Sequence, residues 1–310
     1  MFVVNHKKIF FAISATLVAL SLFSILFLRL SASIEFTGGS LLQVEYKTER
    51  PAIDDIEKTT TGLLVGKMLL QPTGDRGLII RTRELAAAEK NELLQRLSFN
   101  GDADLSLERY TLIGPSIGRE LRTKAWIAVL VVLFAIILFI TFAFRKAGMD
   151  NLSKGVSIRS WHYGLITIVT LAFDLVVPMG TFSFLGSQFL DLHIDVLFVT
   201  ALLVILGYSV HDTIVVFDRI RENLRINKEE KSNKDLDRIV GEGLEQTYAR
   251  SINTSLTTLL VVLALYILGG EVTKNFALML GVGIIVGTYS SIFLATPLLL
   301  WFGTRGMWKM

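Results

Sequence analysis

The sequence from Gly207 to Glu222 reads Gly-Tyr-Ser-Val-His-Asp-Thr-Ile-Val-Val-Phe-Asp-Arg-Ile-Arg-Glu. It closes an apolar run that begins near Val196, so that His211 and Asp212 fall inside a segment suited to the hydrocarbon of a membrane. A carboxylate at that depth costs about 2.5–3.5 kcal/mol on insertion scales unless it is paired, hydrated or protonated. The stretch therefore predicts a membrane-spanning helix whose acidic residue has a functional reason to be there.

The composition of the whole chain agrees with a polytopic α-helical membrane protein. It has 310 residues, of which 52% are hydrophobic and only 19% are charged, and its mean hydropathy is +0.54. The net charge of +3 could suggest a nucleic-acid partner. However, Lys and Arg cluster in particular connections between apolar runs, and this pattern indicates the orientation of the chain in a membrane instead. The chain has no Cys and its four His residues are scattered, so the sequence predicts no disulfide, no metal site and no cofactor.

Six apolar runs are long enough to cross a bilayer as helices, at about 20 residues each. We predict them at residues 9–30, 126–144, 163–182, 196–217, 251–268 and 276–302. The first run, followed by Ser31-Ala32-Ser33, also has features of a cleaved signal peptide. Its apolar core exceeds the roughly 7–15 residues usual for that role, which favours a retained transmembrane helix.

The basic residues predict the orientation of these helices. They fill the connections after the second and fourth runs, whereas the connections after the third and fifth carry only Lys274 between them. Short basic connections stay in the cytoplasm, so both termini are expected there. A basic segment at about 218–250 is expected to form a cytoplasmic amphipathic helix. The basic residues are Arg145, Lys146, Lys154 and Arg159 in the first of these connections, and Arg219, Arg221, Arg225, Lys228, Lys231, Lys234 and Arg238 in the second.

The segment 33–124 is different in kind, because it is polar, carries charges of both signs and contains no run long enough to span. Its strand and helix patterns follow the order β-α-β-β-α-β of a ferredoxin-like fold. The turn signal Pro72-Thr73-Gly74-Asp75 separates the second and third strands. Strands are predicted at 41–46, 65–70, 78–82 and 103–112, and helices from 51 to 63 and at 85–97.

The chain is therefore expected to have three parts. Residues 1–32 hold the cytoplasmic N-terminus and the first transmembrane helix, and residues 33–124 form an extracytoplasmic α+β domain. Residues 125–310 hold transmembrane helices two to six. Since residues 33–124 form a long connection, their own charges need not follow the rule that orients short loops.

Nucleotide and hydrolase motifs are missing from the sequence. Residues 62–68, Gly-Leu-Leu-Val-Gly-Lys-Met, superficially resemble a phosphate-binding loop. They have three residues instead of four between the glycines, and no Ser or Thr follows the Lys. HExxH and GxSxG are absent as well. The sequence therefore predicts a protein that is not an enzyme, whose energy for work comes from a partner or from an ion gradient.

Asp212 and Arg250 are the candidate site for coupling to such a gradient. Asp212 lies about 8 Å, at 1.5 Å per residue, inside the cytoplasmic end of the fourth run, and Arg250 enters the fifth run from the same side. An Arg nearby favours an ionised carboxylate, whereas a dry site favours a protonated one, so a balanced site exchanges a proton as the helices shift. The alternative is that Arg250 only extends to the interface and that Asp212 bonds locally. Sodium would use the same carboxylate, with Ser209 and Thr213 as oxygen neighbours.

Two further polar residues belong to the candidate site. Asp174 lies near the middle of the third run, where it either bonds to a hydroxyl or backbone group, favoured by a break at Pro178, or acts as a second relay carboxylate. His211 adjoins Asp212 but points about 100° away around a helix. An imidazole can relay protons near neutral pH, and its direct cooperation stays open. On the sixth run, the small residues Gly281, Gly283, Gly287, Ser291 and Ala295 predict a close-packing face.

Several stretches resemble the SecD/SecF family within the resistance-nodulation-division superfamily, and they are distributed over nearly the whole chain. The first two are Ile-Glu-Phe-Thr-Gly-Gly-Ser at 34–40 and Gly-Pro-Ser-Ile-Gly at 114–118. The others are Gly-Tyr-Ser-Val-His-Asp-Thr at 207–213, Phe-Asp-Arg-Ile-Arg-Glu-Asn at 217–223, and Gln-Thr-Tyr-Ala-Arg-Ser-Ile-Asn-Thr-Ser-Leu-Thr-Thr at 246–258. The likeness is to the smaller subunit of the family.

This resemblance implies a multi-pass protein of the bacterial cytoplasmic membrane that uses the proton motive force, together with SecD, to promote late preprotein translocation. It implies as partners the SecYEG translocon, YajC/YidC-type accessory proteins, an unfolded preprotein substrate and membrane lipid. In the family, the positions of Asp212 and Arg250 are implicated in proton conduction. The residue before that Asp is usually Asn, and His211 departs from this pattern. A proton-coupled small-molecule exporter of the same superfamily, which usually has two large external loops, and a passive scaffold of the translocon remain alternatives.

Overall fold

The computed structural model describes residues 2–28, 31–63, 68–145, 160–188, 192–232 and 234–305. The chain divides into two compact units. The larger unit consists of Met1–Leu30, Ala128–Leu192 and Leu197–Met310, and the smaller unit of Ser31–Ile127 and His193–Val196. Six of the described helices are long and apolar enough to cross a membrane, which confirms the six predicted runs.

The first elements of the chain are two helices, the second of which is the first membrane span. They are α1, Phe2–Asn5, and α2, Lys7–Phe27. The smaller unit follows with strands and short helices. These are β1, Ser31–Ala32; α3, Ile34–Thr37; β2, Gly39–Tyr46; α4, Ile53–Thr60; β3, Leu69–Thr73; β4, Gly77–Thr82; α5, Ala87–Leu97; and β5, Leu105–Ile113.

Five further membrane spans complete the chain, and each is longer than the apolar run that predicts it. The last span combines two helices and the π-helical turn between them. The helices of these spans are α6, Pro115–Ala143; α7, Ser160–Gln188; α8, Val196–Glu229; α9, Leu236–Leu268; α10, Glu271–Tyr289; and α11, Thr296–Arg305. A short strand β6, His193–Ile194, precedes α8, and one π-helical turn, Ser290–Ala295, joins α10 to α11.

Four strands of the smaller unit form an antiparallel sheet in the order β3-β4-β2-β5. From β2 to β5 the elements follow the order β-α-β-β-α-β. Leu42, Val44 and Tyr46 alternate along β2 and are all buried, because successive side chains of a strand point to opposite faces. Helices α4 and α5 cover this face. The buried core is made of Leu42, Val44, Tyr46, Ile56, Leu78, Ile80, Leu85, Leu93 and Leu97.

The second strand of this sheet lies later in the chain than the sequence predicts. Strand β3 includes Pro72 and Thr73, which were expected in the turn, and the turn is made at Gly74 with a φ of +60°. β3 is an edge strand, where a proline without an N–H can be tolerated. Residues 65–67 of the predicted strand, and the centre of the loop at 62–68, lie outside the described residues.

The start of α6 and the end of α3 meet closely within the smaller unit. Gly38 has a φ of +78°, and a Cβ at Gly118 would lie 2.7 Å from the Gly38 nitrogen. Strand β1 pairs in parallel with β6, and the Glu35 carboxylate accepts a hydrogen bond of 2.8 Å from the Val196 N–H, the first residue of α8. Residues from 31–38, 114–118 and 193–196 are therefore held together at one junction.

The predicted amphipathic helix at 218–250 is wrong as a separate element. Its first part continues α8 to Glu229 and its second part begins α9 at Leu236, so the segment is a hairpin of two helical extensions. The break falls at Lys231, whose φ of +49° is incompatible with a continued right-handed helix. Arg145 of the other basic connection ends the described part of that region, while Lys146, Lys154 and Arg159 lie outside it.

The larger unit is built by close packing of α2, α7 and α10. A Cβ at Gly180 of α7 would lie 2.3 Å from the Ser21 Cβ of α2, and the Ser24 hydroxyl donates to the Gly180 carbonyl at 2.9 Å. Small residues and hydroxyls of this kind allow helices to approach in a membrane. The expected break at Pro178 is wrong, because α7 continues through this residue as a helix.

Candidate functional site

Asp174 is fully buried in the middle of α7, with 0% of its surface exposed. Its Oδ2 accepts a hydrogen bond from the Ser209 hydroxyl of α8, while its Oδ1 has no hydrogen-bond partner in the described part of the chain. A buried carboxylate is costly unless it is hydrogen-bonded, paired or neutral. Asp174 is thus a polar centre in the interior of the helix bundle.

Two backbone irregularities lie beside Asp174. Pro178 has no N–H, so the Asp174 carbonyl lacks the helical donor that residue 178 would supply in an ordinary helix. Ser290, also fully buried, lies beside the carboxylate on the π-helical turn and donates its own hydroxyl to the Gly287 carbonyl at 3.0 Å. π-Helical turns occur frequently at functional sites. Asp174 is therefore bordered by the hydroxyls of Ser209 and Ser290.

Asp212 is the second buried carboxylate, on α8, with 3% of its surface exposed. It lies three residues after Ser209, which places both on one side of the helix. Its Oδ2 accepts no hydrogen bond from the described residues. The Thr213 hydroxyl donates to the Ser209 carbonyl at 3.1 Å. The two hydroxyls expected as oxygen neighbours of a sodium ion at Asp212 therefore donate elsewhere, Ser209 to Asp174 and Thr213 to the backbone.

Arg250 and His211 lie within electrostatic range of Asp212, but both side chains are exposed. No ion pair joins Arg250 to Asp212 among the described residues. The structure therefore brings Asp174, Ser209 and Asp212 together in the interior. It leaves Arg250 and His211 at the surface of the chain.

Helix α9 carries a polar stripe that begins at Arg250. Arg250, Asn253 and Thr257 are exposed along one side of this helix. On another side, Ser255 hydrogen-bonds to the Tyr208 hydroxyl of α8 at 3.0 Å and to the Thr288 hydroxyl of α10 at 2.6 Å. These hydroxyls tie α8, α9 and α10 together close to the two carboxylates.

Two residues of the predicted small-residue face of the sixth span, Gly283 and Gly287, pack closely against the helix that carries Asp212. A Cβ at Gly283 would lie 2.1 Å from the Ile205 Cδ1, and one at Gly287 would lie 3.0 Å from the Ser209 Cβ. The two glycines are one turn apart on α10, and Ile205 and Ser209 are one turn apart on α8. This matched spacing holds Ser209 firmly against α10.

Sequence reasoning missed the role of Ser209 toward Asp174 and the position of Ser290. A signal was present, since Ser209 is a small hydroxyl residue three positions before an intramembrane Asp. Its partner could not be read from the sequence, because the hydrogen bond depends on how α7 and α8 face each other. Across the described ranges, no group of three or more His, Asp or Glu side chains converges as metal ligands would.

Comparisons with known proteins agree over nearly the whole chain. The family described as protein export membrane protein SecD/SecF, C-terminal, matches residues 94–305. The chain is similar to the protein translocase subunit SecF of Anaerolinea thermophila, with 33% identity over 310 residues, 99% of this chain and 95% of the relative. It is also similar to the protein translocase subunit SecF of Desulfurispirillum indicum, with 38% identity over 301 residues, 95% of this chain and 89% of the relative.

Among solved structures, the chain is similar to SecDF from Thermus thermophilus, described as a translocon-associated membrane protein. The TM-score is 0.82 and the identity 31%, and the match covers 97% of this chain and 38% of the solved one. This chain therefore spans well under half the length of that protein. The family match and the identity to curated relatives, together with six apolar spans, show that the chain belongs to the SecD/SecF family of protein export membrane proteins, as a bacterial multi-pass membrane protein.

Proposed function

We propose that this chain is the smaller, SecF-type subunit of a proton-driven device that promotes the late stage of preprotein export together with SecD. The observation that carries this proposal is the pair of buried carboxylates, Asp174 and Asp212, on adjacent helices of the bundle. Intramembrane acidic residues of this kind are typical of proton and ion pathways. The chain acts without enzymatic chemistry and takes its energy from the gradient.

Asp212 and Arg250 form the switch of this device. A negative charge on Asp212 attracts the Arg250 guanidinium, and a proton on Asp212 removes that attraction. Proton uptake therefore changes the force between α8 and α9. Because Ile205 and Ser209 of α8 pack tightly on Gly283 and Gly287, the helices move as bodies rather than adjusting single side chains. Asp174 is a second carboxylate that takes part in proton transfer, and the exposed His211 is next to Asp212 in the chain.

The smaller unit is the part that transmits this movement to the outside. We assign it a ferredoxin-like fold, supported by its sheet order, in which the first and third of the four strands lie at the centre. We place it outside the cytoplasm between α2 and α6, with both termini inside. The support for this orientation is the charged α8–α9 hairpin, since basic connections are retained in the cytoplasm.

The apolar surface of α6 and α9 is the support for a membrane partner. In an 18-residue apolar stretch of α6, only 11% is buried within this chain, and in the corresponding stretch of α9 only 17%. Lipid covers part of this surface, and SecD covers the part next to the exposed Arg250. The SecYEG translocon, YajC/YidC-type accessory proteins and the unfolded preprotein are the further partners of the assembly.

Export into inverted membrane vesicles tests the proposal. Vesicles carry the chain with its SecD partner, ATP-driven transport is held constant, and the extra export on imposing a proton gradient is measured. Asp212→Asn and Arg250→Met are each expected to remove this extra export. If both variants keep it in full, the chain is a passive scaffold. Replacing Na⁺ by K⁺ at fixed pH identifies the ion, because a proton-driven device is indifferent to this change.

A further inference from the structure

We propose that Ser209 is a positioning residue that links the two interior carboxylates, so that Asp174 and Asp212 take up and release protons as a coupled pair. This inference rests on the proposed ion-coupling function of Asp212. It assigns a role to a residue that neither the family resemblance nor the site prediction included in the proton path.

The first support is the placement of Ser209 between the two acids. Its hydroxyl donates to Oδ2 of Asp174 on α7. On its own helix it lies three residues before Asp212, and residues at this spacing are neighbours with about 5–6 Å between their Cβ atoms. Each carboxylate also keeps one oxygen without a partner in the described chain, Oδ1 of Asp174 and Oδ2 of Asp212. Two incompletely satisfied acids thus flank one hydroxyl.

The second support is that Ser209 cannot move alone. Only 1% of its surface is exposed, and a Cβ at Gly287 of α10 would lie 3.0 Å from its own Cβ. The Thr213 hydroxyl is bonded to the Ser209 carbonyl at 3.1 Å. A shift of α8 relative to α7 therefore changes the geometry of the hydrogen bond to Asp174, and the same shift moves Asp212, which is one turn away on that helix. Any movement driven by the charge on Asp212 changes the hydrogen bonding of Asp174.

The third support is the lack of competing charges around the pair in the described structure. Helix α2 carries Lys7 and Lys8 in its first turn, and α10 carries Glu271 and Lys274 in its first turn. These positions are at helix ends, whereas Asp174 lies near the middle of α7. On α8 and α9, the groups that act on Asp212 are His211 and Arg250. Tyr208 of α8 and Tyr289 of α10 are bonded through their hydroxyls to Ser255 and Ser14. The polar groups beside Asp174 are the Ser209 and Ser290 hydroxyls.

Infrared difference spectroscopy of the full chain with its SecD partner in lipid membranes tests the link. Asp174→Asn and Asp212→Asn identify the carbonyl band of each protonated acid. In the unmodified protein, each band is expected to change in the same two pH steps, because the protons of interacting acids come off in steps that belong to the pair. In Ser209→Ala, the Asp174 band shifts to higher frequency because its hydroxyl donor is gone, and each band changes in a single step of its own.

Ser183→Ala is the matched control. Ser183 is likewise a buried serine, but it lies on α7, and its hydroxyl donates to the Ser24 carbonyl at 3.2 Å instead of to either acid. It is expected to leave both bands as they are. Gly287→Ala is a second variant that keeps the Ser209 hydroxyl while crowding its Cβ, and it too is expected to change the Asp174 band.

The proposal is overturned if Ser209→Ala leaves the Asp174 band in place, or if the two bands already titrate independently in the unmodified protein. The result for the proposed function is separate, because it depends on gradient-driven export by Asp212→Asn. Retained export in that variant refutes the function, whatever the spectra show for Ser209.

Discussion

Ser209 of α8 donates a hydrogen bond to Asp174 of α7, across a separation of 35 residues in the chain. This bond sets the chemistry of the bundle interior, because Asp174 has 0% exposure and no cation bonded to it within the described residues. Asp212, one turn along α8, is buried as well. The two acids therefore share a helix contact, and the basic side chain expected to complete the site, Arg250, stays at the surface.

Arg250→Met is expected to abolish gradient-dependent export while leaving stability almost unchanged. The Arg250 side chain is exposed and makes no ion pair with Asp212, and changes at such positions usually stay within about 0.5 kcal/mol. Thermal unfolding in detergent measures the stability and vesicle export the function. A marked drop in unfolding temperature would show instead that Arg250 is a structural residue.

Gly283→Ala is expected to destabilise the bundle by about 1–3 kcal/mol, the usual cost of overpacking. The new Cβ would lie 2.1 Å from Ile205 Cδ1 and 2.2 Å from its Cγ1. The matched control is Gly281→Ala on the same helix, where the nearest atom is Val262 Cγ1 at 3.5 Å, an ordinary contact. Denaturation in mixed micelles compares the two. Equal stabilities would contradict the close packing of α8 on α10.

Glu35→Ala is expected to destabilise the junction of the smaller unit by about 0.5–2 kcal/mol, the usual range for loss of a helix N-terminal acceptor. The Glu35 carboxylate accepts a 2.8 Å hydrogen bond from the Val196 N–H, the first residue of α8. Glu35→Gln keeps an acceptor and loses only the charge, so its effect is smaller. Hydrogen exchange of the Val196 N–H reports the loss of this hydrogen bond directly. Unchanged exchange in Glu35→Ala would contradict the bond between Val196 and Glu35.

Tyr46 is expected to give the smaller unit a stability component that is lost at high pH. Burial raises the pKa of the Tyr46 phenol from 10.0 to about 12, with nearby Arg50 acting in the opposite direction. A raised pKa means that the contribution is complete below the unfolded value and disappears as the pH rises through about 12. A pH titration followed by tyrosinate absorbance is expected to show a step near pH 12 that is missing in Tyr46→Phe.

The same variant also has an effect at neutral pH. The Tyr46 hydroxyl donates to the Leu97 carbonyl at 3.1 Å in the core, and loss of a buried hydrogen bond costs about 0.5–1.5 kcal/mol. Resistance of the smaller unit to protease at pH 8 and pH 11 is the measurement. From pH 8 to pH 11, the unmodified protein is expected to lose more protease resistance than the Tyr46→Phe variant does. A larger loss in the variant would contradict the assignment.

Local pattern was enough to predict most of the elements. The six spans follow from runs of apolar residues, and the strands of the smaller unit follow from alternation such as Leu42, Val44 and Tyr46. Element ends were less predictable. The extensions of α8 and α9 beyond the apolar runs, and the inclusion of Pro72 in β3, depend on packing and on the edge position of the strand.

For the candidate site, the residues that are out of place in an apolar helix can be identified from the chain alone. Asp174 and Asp212 are acids in apolar helices, and this could be recognised without a structure. Their partners follow from the packing of the helices, which brings the Ser209 hydroxyl to Asp174 and leaves Arg250 exposed. The physical reason is that a side-chain hydrogen bond between two helices depends on their separation and rotation about their axes. The separation and rotation of α8 are fixed here by contacts such as Ile205 on Gly283 and Ser209 on Gly287. The residues in each of these contacts are far apart in the chain.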